Sequence, residues 1–300
     1  MAQSHQPDNM SVDNERSLNK LAWAMEASVG RFKLVFARFN YTSLRSQLVG
    51  RLRELTKVGI RILELKPTER RLFARIQQEL GEEQPDVLMV FGLESVDNLE
   101  QLLATTNQIR EEFRKHFPFP LILWINDRIM EKLLRVAPDF ESWGTTRQFV
   151  ITTDGLIDFL QQIAEEFFAG NLTLSLEACQ EIELACQELE HRGLTLDREL
   201  QATIESLLGF TASSHPINTN LDSALAHYRT GLALWQQGNQ LEQQSKLLPQ
   251  IALCYYLKAL RYRQIDCSEW QVTRQYLQQC LAVFEQEQRL DLVANSILTG

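Results

Sequence analysis

The spacing of apolar positions changes character about halfway along the chain. In the first half, short apolar runs recur at 32–39 (FKLVFARF), 60–65 (IRILEL), 87–91 (VLMVF), 120–125 (PLILWI) and 147–152 (RQFVIT). Runs of this length, rich in β-branched and aromatic residues, predict five strands. Between them the apolar residues fall three and four apart. Leu18, Leu21, Ala22 and Met25 predict a helix over 17–29 that ends at Gly30, and Leu44, Leu48, Leu52 and Leu55 predict another over 44–55. Further helices are expected at 68–80 with Thr68 as its N-cap, at 97–116 with an Asp at its start, at 127–136 with Asp127 as its N-cap, and at 154–168. Strands alternating with helices are the signature of repeated βαβ units, hence of a parallel sheet. The runs at 87–91 and 120–125 are almost wholly apolar, which suits central strands covered on both faces. Val90 and Leu123 are their expected buried centres.

From residue 174 onward the period is helical throughout, broken at Gly193, Gly209 and the stretch 213–220 (SSHPINTN). That stretch is the best linker candidate. Beyond it two segments match at a spacing of 49. Ala224, Tyr228 and Gly231-Leu232 parallel Thr273, Leu277 and Cys280-Leu281, leading the pentads GLALW (231–235) and CLAVF (280–284). Small residues at 224, 231, 273 and 280 would let neighbouring helices approach closely. Tyr255-Tyr256, Trp235 and Phe284 read chiefly as core.

Length and composition fit this division. Three hundred residues, 44% hydrophobic and 23% charged, support two domains with cores of their own and exclude wholesale disorder. No apolar run approaches the roughly 20 residues of a membrane span. The polar start carries no secretory signal, and residues 1–15 read as a disordered tail. The expectation is a cytoplasmic protein without membrane insertion.

Charge is unevenly shared. Residues 1–150 hold 21 Lys+Arg and 20 Asp+Glu, a net of +1; residues 151–300 hold 9 and 19, a net of −10. The acidic half argues against nucleic acid as a partner, because broad binding needs a basic face to displace counterions. The cysteines at 179, 186, 254, 267 and 280 form no CxxC pair, and the histidines at 5, 116, 191, 215 and 227 form no cluster. The reading is buried thiols in a reducing compartment, with no metal site.

A catalytic parallel sheet keeps its active groups in the loops after its strands. After the first strand the loop is Arg38-Phe39-Asn40-Tyr41-Thr42-Ser43. It has neither the glycines that let backbone N–H groups converge on a phosphate nor the lysine before Ser/Thr. After the third come Gly92-Leu93-Glu94-Ser95, and after the fourth Asn126-Asp127. A magnesium–phosphate site needs a carboxylate at the strand end, where Phe91 and Gly92 stand instead. No Ser/His/Asp or Cys/His set is apparent.

Residues 17–152 resemble, in order and texture, the nucleotidase domain of signal-transduction ATPases with numerous domains, a P-loop group of NACHT/AAA-like proteins. In that family an apolar strand ends in Asp-Gly-Leu-Asp/Glu. Laid on this chain, that motif falls on Phe91-Gly92-Leu93 and Glu94. The segment 137–143 (APDFESW) also resembles degenerate bacterial members that carry helical repeats, cyanobacterial repeat proteins among them. The resemblance makes Arg38, Asn40, Thr42, Glu94 and Asn126 the vestigial nucleotide-site positions. The second half resembles tetratricopeptide repeats, with Leu248, Ile251-Ala252 and Tyr255 in the style of a first helix, though the family period is nearer 34 residues. Tyr255, Arg261 and Arg263 are the candidate partner contacts.

The expected architecture is therefore a degenerate α/β domain over 16–170, a helical connector over 171–212, the linker at 213–220, and repeat-like helices over 221–300. Because the chain stops just after the apolar run LDLVANSIL, the natural protein is expected to continue or its last helix to meet a partner. The expected function is a pseudo-NTPase that is no enzyme, needs no cofactor and binds a protein partner through its helices. The alternative is a nucleotide-binding switch with little or no hydrolysis.

Overall fold

The chain was analysed as a computed structural model, which describes residues 11–173, 175–215, 217–262 and 268–286. Cys267, Arg263, His5 and the run LDLVANSIL lie outside those residues. The chain forms two compact units, Met1–Thr152 and Thr153–Gly300. The helix at 154–168, read from sequence as the end of the α/β domain, belongs to the second unit.

The first unit is a five-stranded, wholly parallel sheet of β1 (Lys33–Arg38), β2 (Ile60–Glu64), β3 (Val87–Phe91), β4 (Pro120–Ile125) and β5 (Gly144–Gln148). The strand order is β2-β3-β4-β1-β5. Every residue of β3 and β4 is buried, Val90 and Leu123 included, as expected of central strands. The chain leaves β1 in one direction and returns through β2, β3 and β4 in the other. Right-handed crossovers then put the helix after β1 on the face opposite the later ones. On one face Leu34, Phe36, Leu88, Val90, Leu121 and Leu123 share a core with α3 (Leu72–Leu80), α4 (Leu99–Gln108), α5 (Arg110–His116), α6 (Asp127–Val136) and α7 (Pro138–Glu141). The alternate residues, Val35, Ala37, Met89, Ile122 and Trp124, point to the other face. There α1 (Val12–Glu26) and α2 (Thr42–Leu55) bury Leu18, Leu21, Met25, Leu44, Leu48 and Leu52.

Several boundaries differ from the sequence reading, each for a local reason. The first helix starts at Val12, capped by Ser11, so the expected tail of 1–15 is too long. Asn14 is buried and exchanges two hydrogen bonds with the backbone of Val150, at 2.7 and 2.9 Å. That side-chain amide takes the place of a neighbouring strand. The apolar run 149–151 therefore leaves the sheet, and the fifth strand is the more polar Gly144–Gln148. The helix expected from Thr68 begins at Leu72, because a turn closed from Glu69 N–H to the Lys66 carbonyl precedes it. The long helix expected at 97–116 is two, broken at Ile109, and its cap is Asn98 rather than Asp97.

The second unit is built from α8 (Thr153–Phe168), α9 (Leu176–His191), α10 (Arg198–Ser214), α11 (Leu221–Gln237), α12 (Leu241–Tyr262) and α13 (Ser268–Gln286). Helices α10 and α11 form one hairpin, α12 and α13 another, with thinner contact between the hairpins. The stretch read as a linker is the turn of the first hairpin. There His215 Nδ1 accepts from the N–H groups of Ile217 and Asn218, and the Asn220 N–H donates to the Ala212 carbonyl. Cys179, Ile182 and Cys186 are buried on one face of α9. Ala224, Tyr228, Gly231 and Leu232 are all buried, but Leu277, which matches Tyr228 at a distance of 49 residues, is 40% exposed.

Two glycines bring α10 and α11 together. A Cβ on Gly209 would lie 2.4 Å from the Tyr228 ring. A Cβ on Gly231 would lie 3.1 Å from Ser206 Oγ, which is itself held by the Ala202 carbonyl and by Trp235 Nε1. Alanine normally stabilises a helix by roughly 1 kcal/mol over glycine. Here that gain meets a filled space. Gly209→Ala should lower stability by about 1–3 kcal/mol. Gly231→Ala should be close to neutral and Gly231→Leu distinctly worse, as read by urea unfolding midpoints. Leu123→Ala should cost about 2–5 kcal/mol in the same assay; a near-neutral result would show that β4 is not a central strand.

Candidate functional site

In an open parallel sheet, ligands bind outside the carboxyl ends of the strands, where neighbouring strands send their connections to opposite faces. In this order that point is the seam between β1 and β4. The loops meeting there carry Arg38, Asn40 and Thr42 from β1, and Asn126 and Asp127 from β4. The end of β3 adds Phe91, Gly92 and Glu94.

The seam is crossed by the protein's own side chains. Arg38 Nε lies 2.5 Å from Asp127 Oδ1, and the Asp127 N–H donates to Asn40 Oδ1 at 3.1 Å. Asp127 is therefore not the cap of α6. Asn126 takes that role, its Oδ1 accepting the Ile129 N–H at 2.9 Å. The Arg38 guanidinium holds the Asp127 carboxyl below the usual aspartate range, burial opposes this, and Asn40 adds to the lowering. Thr42 opens α2, whose N-terminal residue Tyr41 makes no side-chain cap.

A second clasp spans the outer strands. Arg45, in the first turn of α2, lies 3.6 Å from Glu64 at the end of β2 and 3.7 Å from Glu94. Its guanidinium also sits 4.9 Å from the centre of the Phe91 ring, a cation–π distance. Glu94, which the resemblance makes the surviving acid, thus faces a cation of the same chain. Gly92 has φ +81°, and a Cβ there would lie 2.8 Å from the Leu65 carbonyl oxygen. The turn after β3 accepts only glycine, for its conformation and for its close approach.

Beneath the clasps lies an aromatic cluster. Trp124 stacks on Phe91 (5.4 Å, 28°) and on Phe149 (5.9 Å, 15°), and meets Phe39 edge-on (5.5 Å, 72°). All four are buried, and they come from the ends of four strands. The sequence places Phe39 in the glycine-free loop after β1 and Phe91 where a metal-binding carboxylate would be needed. Sequence reasoning missed that Trp124 and Phe149 would join them. The signal was there in parity: given parallel pairing in register, residues 39, 91, 124 and 149 all project to one face.

The partner-contact candidates fare differently. Tyr255 is buried, stacked on Tyr276 at 5.7 Å, and its hydroxyl accepts from Arg229. It is core between the hairpins and not an open contact. Arg261 closes α12, but its side chain, like Arg263, lies outside the described residues. Among the described residues no group of His, Cys, Asp and Glu could hold a metal ion. Burial pushes the thiols of Cys186, Cys254 and Cys280 up to about 12, 11 and 11, which keeps them protonated and poor nucleophiles at neutral pH. No described helix is long and apolar enough to cross a membrane.

The chain matches no family model. It matches no curated protein. Among solved structures, it is similar to a chain in that of Drosophila ORC bound to AT-rich DNA and Cdc6, at 13% identity and a TM-score of 0.33. The match covers 91% of this chain and 62% of the other, so this chain spans less than two thirds of that protein's length. At that TM-score the likeness carries no functional inference.

The clasp at the seam predicts a pH signature. Because the folded-state Asp127 carboxyl is depressed, its contribution is present above the ordinary aspartate value of about 3.9. It is lost as pH falls through the folded value. Thermal melts of wild type and Asp127→Asn should differ by a constant amount near neutrality and converge in the acid range. A gap that persists unchanged into acid would show that the carboxylate charge is not what matters at residue 127.

Proposed function

We propose that the chain is a non-catalytic interaction protein: a pseudo-NTPase α/β unit joined to tetratricopeptide-like helical hairpins that bind a protein partner. The observation that carries this reading is the state of the carboxyl-end crevice. Arg38, Asn40 and Asp127 bond to one another across its seam, Arg45 is held between Glu64 and Glu94, and aromatic rings pack below. A phosphate would have to break charge-assisted pairs to enter, with no lysine or glycine-rich backbone to compensate. The two hairpins support a repeat-like partner-binding unit, and the net charge of −10 over residues 151–300 as a whole disfavours nucleic acid as the partner. No cofactor is needed, and a reducing, cytoplasmic setting suits its buried thiols.

One observation favours a second reading, a nucleotide-bound switch without turnover. The N-terminus of α2 opens at the seam without a side-chain cap, and helix N-termini attract anions.

The two readings separate on binding. Millimolar Mg-ATP should leave the melting temperature unchanged. A ligand present at 100 times its dissociation constant would add about 2.7 kcal/mol of stability. A saturable rise in melting temperature, abolished by Thr42→Val or Glu94→Gln, would replace the scaffold reading with the switch.

A further inference from the structure

The two edges of the sheet are finished differently. Its outer strands are β2 and β5. At β5 the Phe149 N–H donates to the Arg38 carbonyl, so the N–H and C=O groups of residues 144, 146, 148 and 150 turn away from β1. Side chains of the protein meet some of them. Asn14 takes both backbone groups of Val150, and the Arg147 guanidinium donates to the Thr146 carbonyl at 3.5 Å. At β2 the Leu65 N–H donates to the Phe91 carbonyl, and the Val87 N–H donates to the Gly59 carbonyl. The odd-numbered residues therefore bond to β3, and the N–H and C=O groups of Ile60, Ile62 and Glu64 turn outward. Among the described residues no side chain or backbone group meets them. Ile60 and Ile62, paired with Val87 and Met89, are half-buried and leave apolar surface beside this open backbone. An unblunted apolar edge of that kind is a template for another strand.

We infer that the β2 edge takes an extended segment of another protein as an added antiparallel strand, acidic at its amino end and apolar at alternate positions after that. In such strand addition the main chain supplies affinity and the neighbouring side chains supply selectivity. The segment's residues opposite Ile62 and Ile60 share their face of the sheet and extend the half-buried apolar row. Antiparallel pairing, the slightly stronger kind, brings the segment's amino end to the carboxyl end of β2. Charge there is positive. Residues 57–71 hold five Lys+Arg and two Asp+Glu, a net of +3. Both acids are engaged within the protein, Glu64 with Arg45 and Glu69 with Arg75, and Arg61 is held by Glu79. Lys66 and Arg71 are exposed and form no ion pair among the described residues, and Arg70 bonds to the neutral Gln101. At the amino end of β2, Asp86 accepts from the Gly59 N–H two residues from Lys57, so that end selects neither sign. A second copy fits poorly. Two β2 strands paired about Ile62 would set Ile60 against Glu64 and bring Lys66 close to Lys57. This contact belongs to the α/β unit and does not rest on partner binding by the helical hairpins.

The test uses the full chain and three short fluorescent peptides of alternating valine and threonine. One carries glutamates at its amino end, one carries them at its carboxyl end, and one carries lysines at its amino end. Anisotropy should show saturable binding of the first, weakening as salt rises, and at least tenfold weaker binding of the other two. Binding should slow hydrogen exchange at the outward amides of Ile62 and Glu64. Ile62→Pro removes an N–H that β3 does not use, so it should abolish binding while circular dichroism stays unchanged. Lys66→Glu combined with Arg71→Glu, both at exposed positions, should reverse the preference toward the lysine peptide; this variant decides the matter if the proline variant does not fold. Absent binding of every peptide, equal binding of all three, or a preference that survives the charge reversal would overturn the inference. So would equal binding by wild type and a folded Ile62→Pro. Sedimentation showing a dimer that Ile62→Pro dissociates would overturn it too, because the occupant would then be a second copy. Any of these results would leave the scaffold reading of the helical hairpins standing.

Discussion

A parallel sheet covered by helices on both faces has little free surface, and its ligand chemistry is confined to the carboxyl ends of its strands. In this protein that edge is consumed by aromatic packing. Trp124 contributes an indole between Phe91 and Phe149 and edge-on to Phe39, so rings from β3 and β4 meet those of the residues just past β1 and β5 in one cluster. Such pairs add about 0.5–1.5 kcal/mol each beyond the burial of their area. Much else near the edge follows from them. Phe91 stands where a metal-binding acid would have to be. Phe39 stands where the chain would have to bring backbone to a phosphate. Arg45 finds a π face below it and carboxylates beside it, so its charge is satisfied within the protein.

The polar residues around the cluster behave accordingly. Arg38, Asn40, Asn126 and Asp127 are the kinds of side chain that could serve a nucleotide, yet each has an internal task. Arg38 and Asn40 hold Asp127, and Asn126 caps α6. The site is coherent as an inner surface that locks β1 to β4: Arg38, Asn40, Asn126 and Asp127 bond within the protein, while the Trp124 indole N–H among the rings is buried without a hydrogen-bond partner.

The sheet was largely readable from sequence because its central strands are dense apolar runs with no competing period. Residues 87–91 and 120–125 are strands to the residue. The edge was less readable. β5 is Gly-Thr-Thr-Arg-Gln, half-buried and polar, while the apolar run beside it is drawn off by Asn14 from 136 residues away. No local pattern encodes that pairing. The pairing of Arg38 with Asp127 is equally non-local, spanning 89 residues. In the helical unit, Gly231 was legible as a point of close approach because a glycine inside an apolar helical face has few other uses. Tyr255 and Tyr256 read chiefly as core, with Tyr255 also a candidate contact; an aromatic followed by another aromatic does not reveal which faces out, and the packing buries Tyr255 and turns Tyr256 outward.

The closure of the crevice can be measured directly by amide hydrogen exchange across 38–45, 91–95 and 126–129, with and without millimolar Mg-ATP. Self-satisfied loops over a dry aromatic cluster should exchange slowly and identically in both conditions. Fast exchange in those loops that becomes slow only when nucleotide is present would contradict the closed crevice and show a ligand site waiting to be filled.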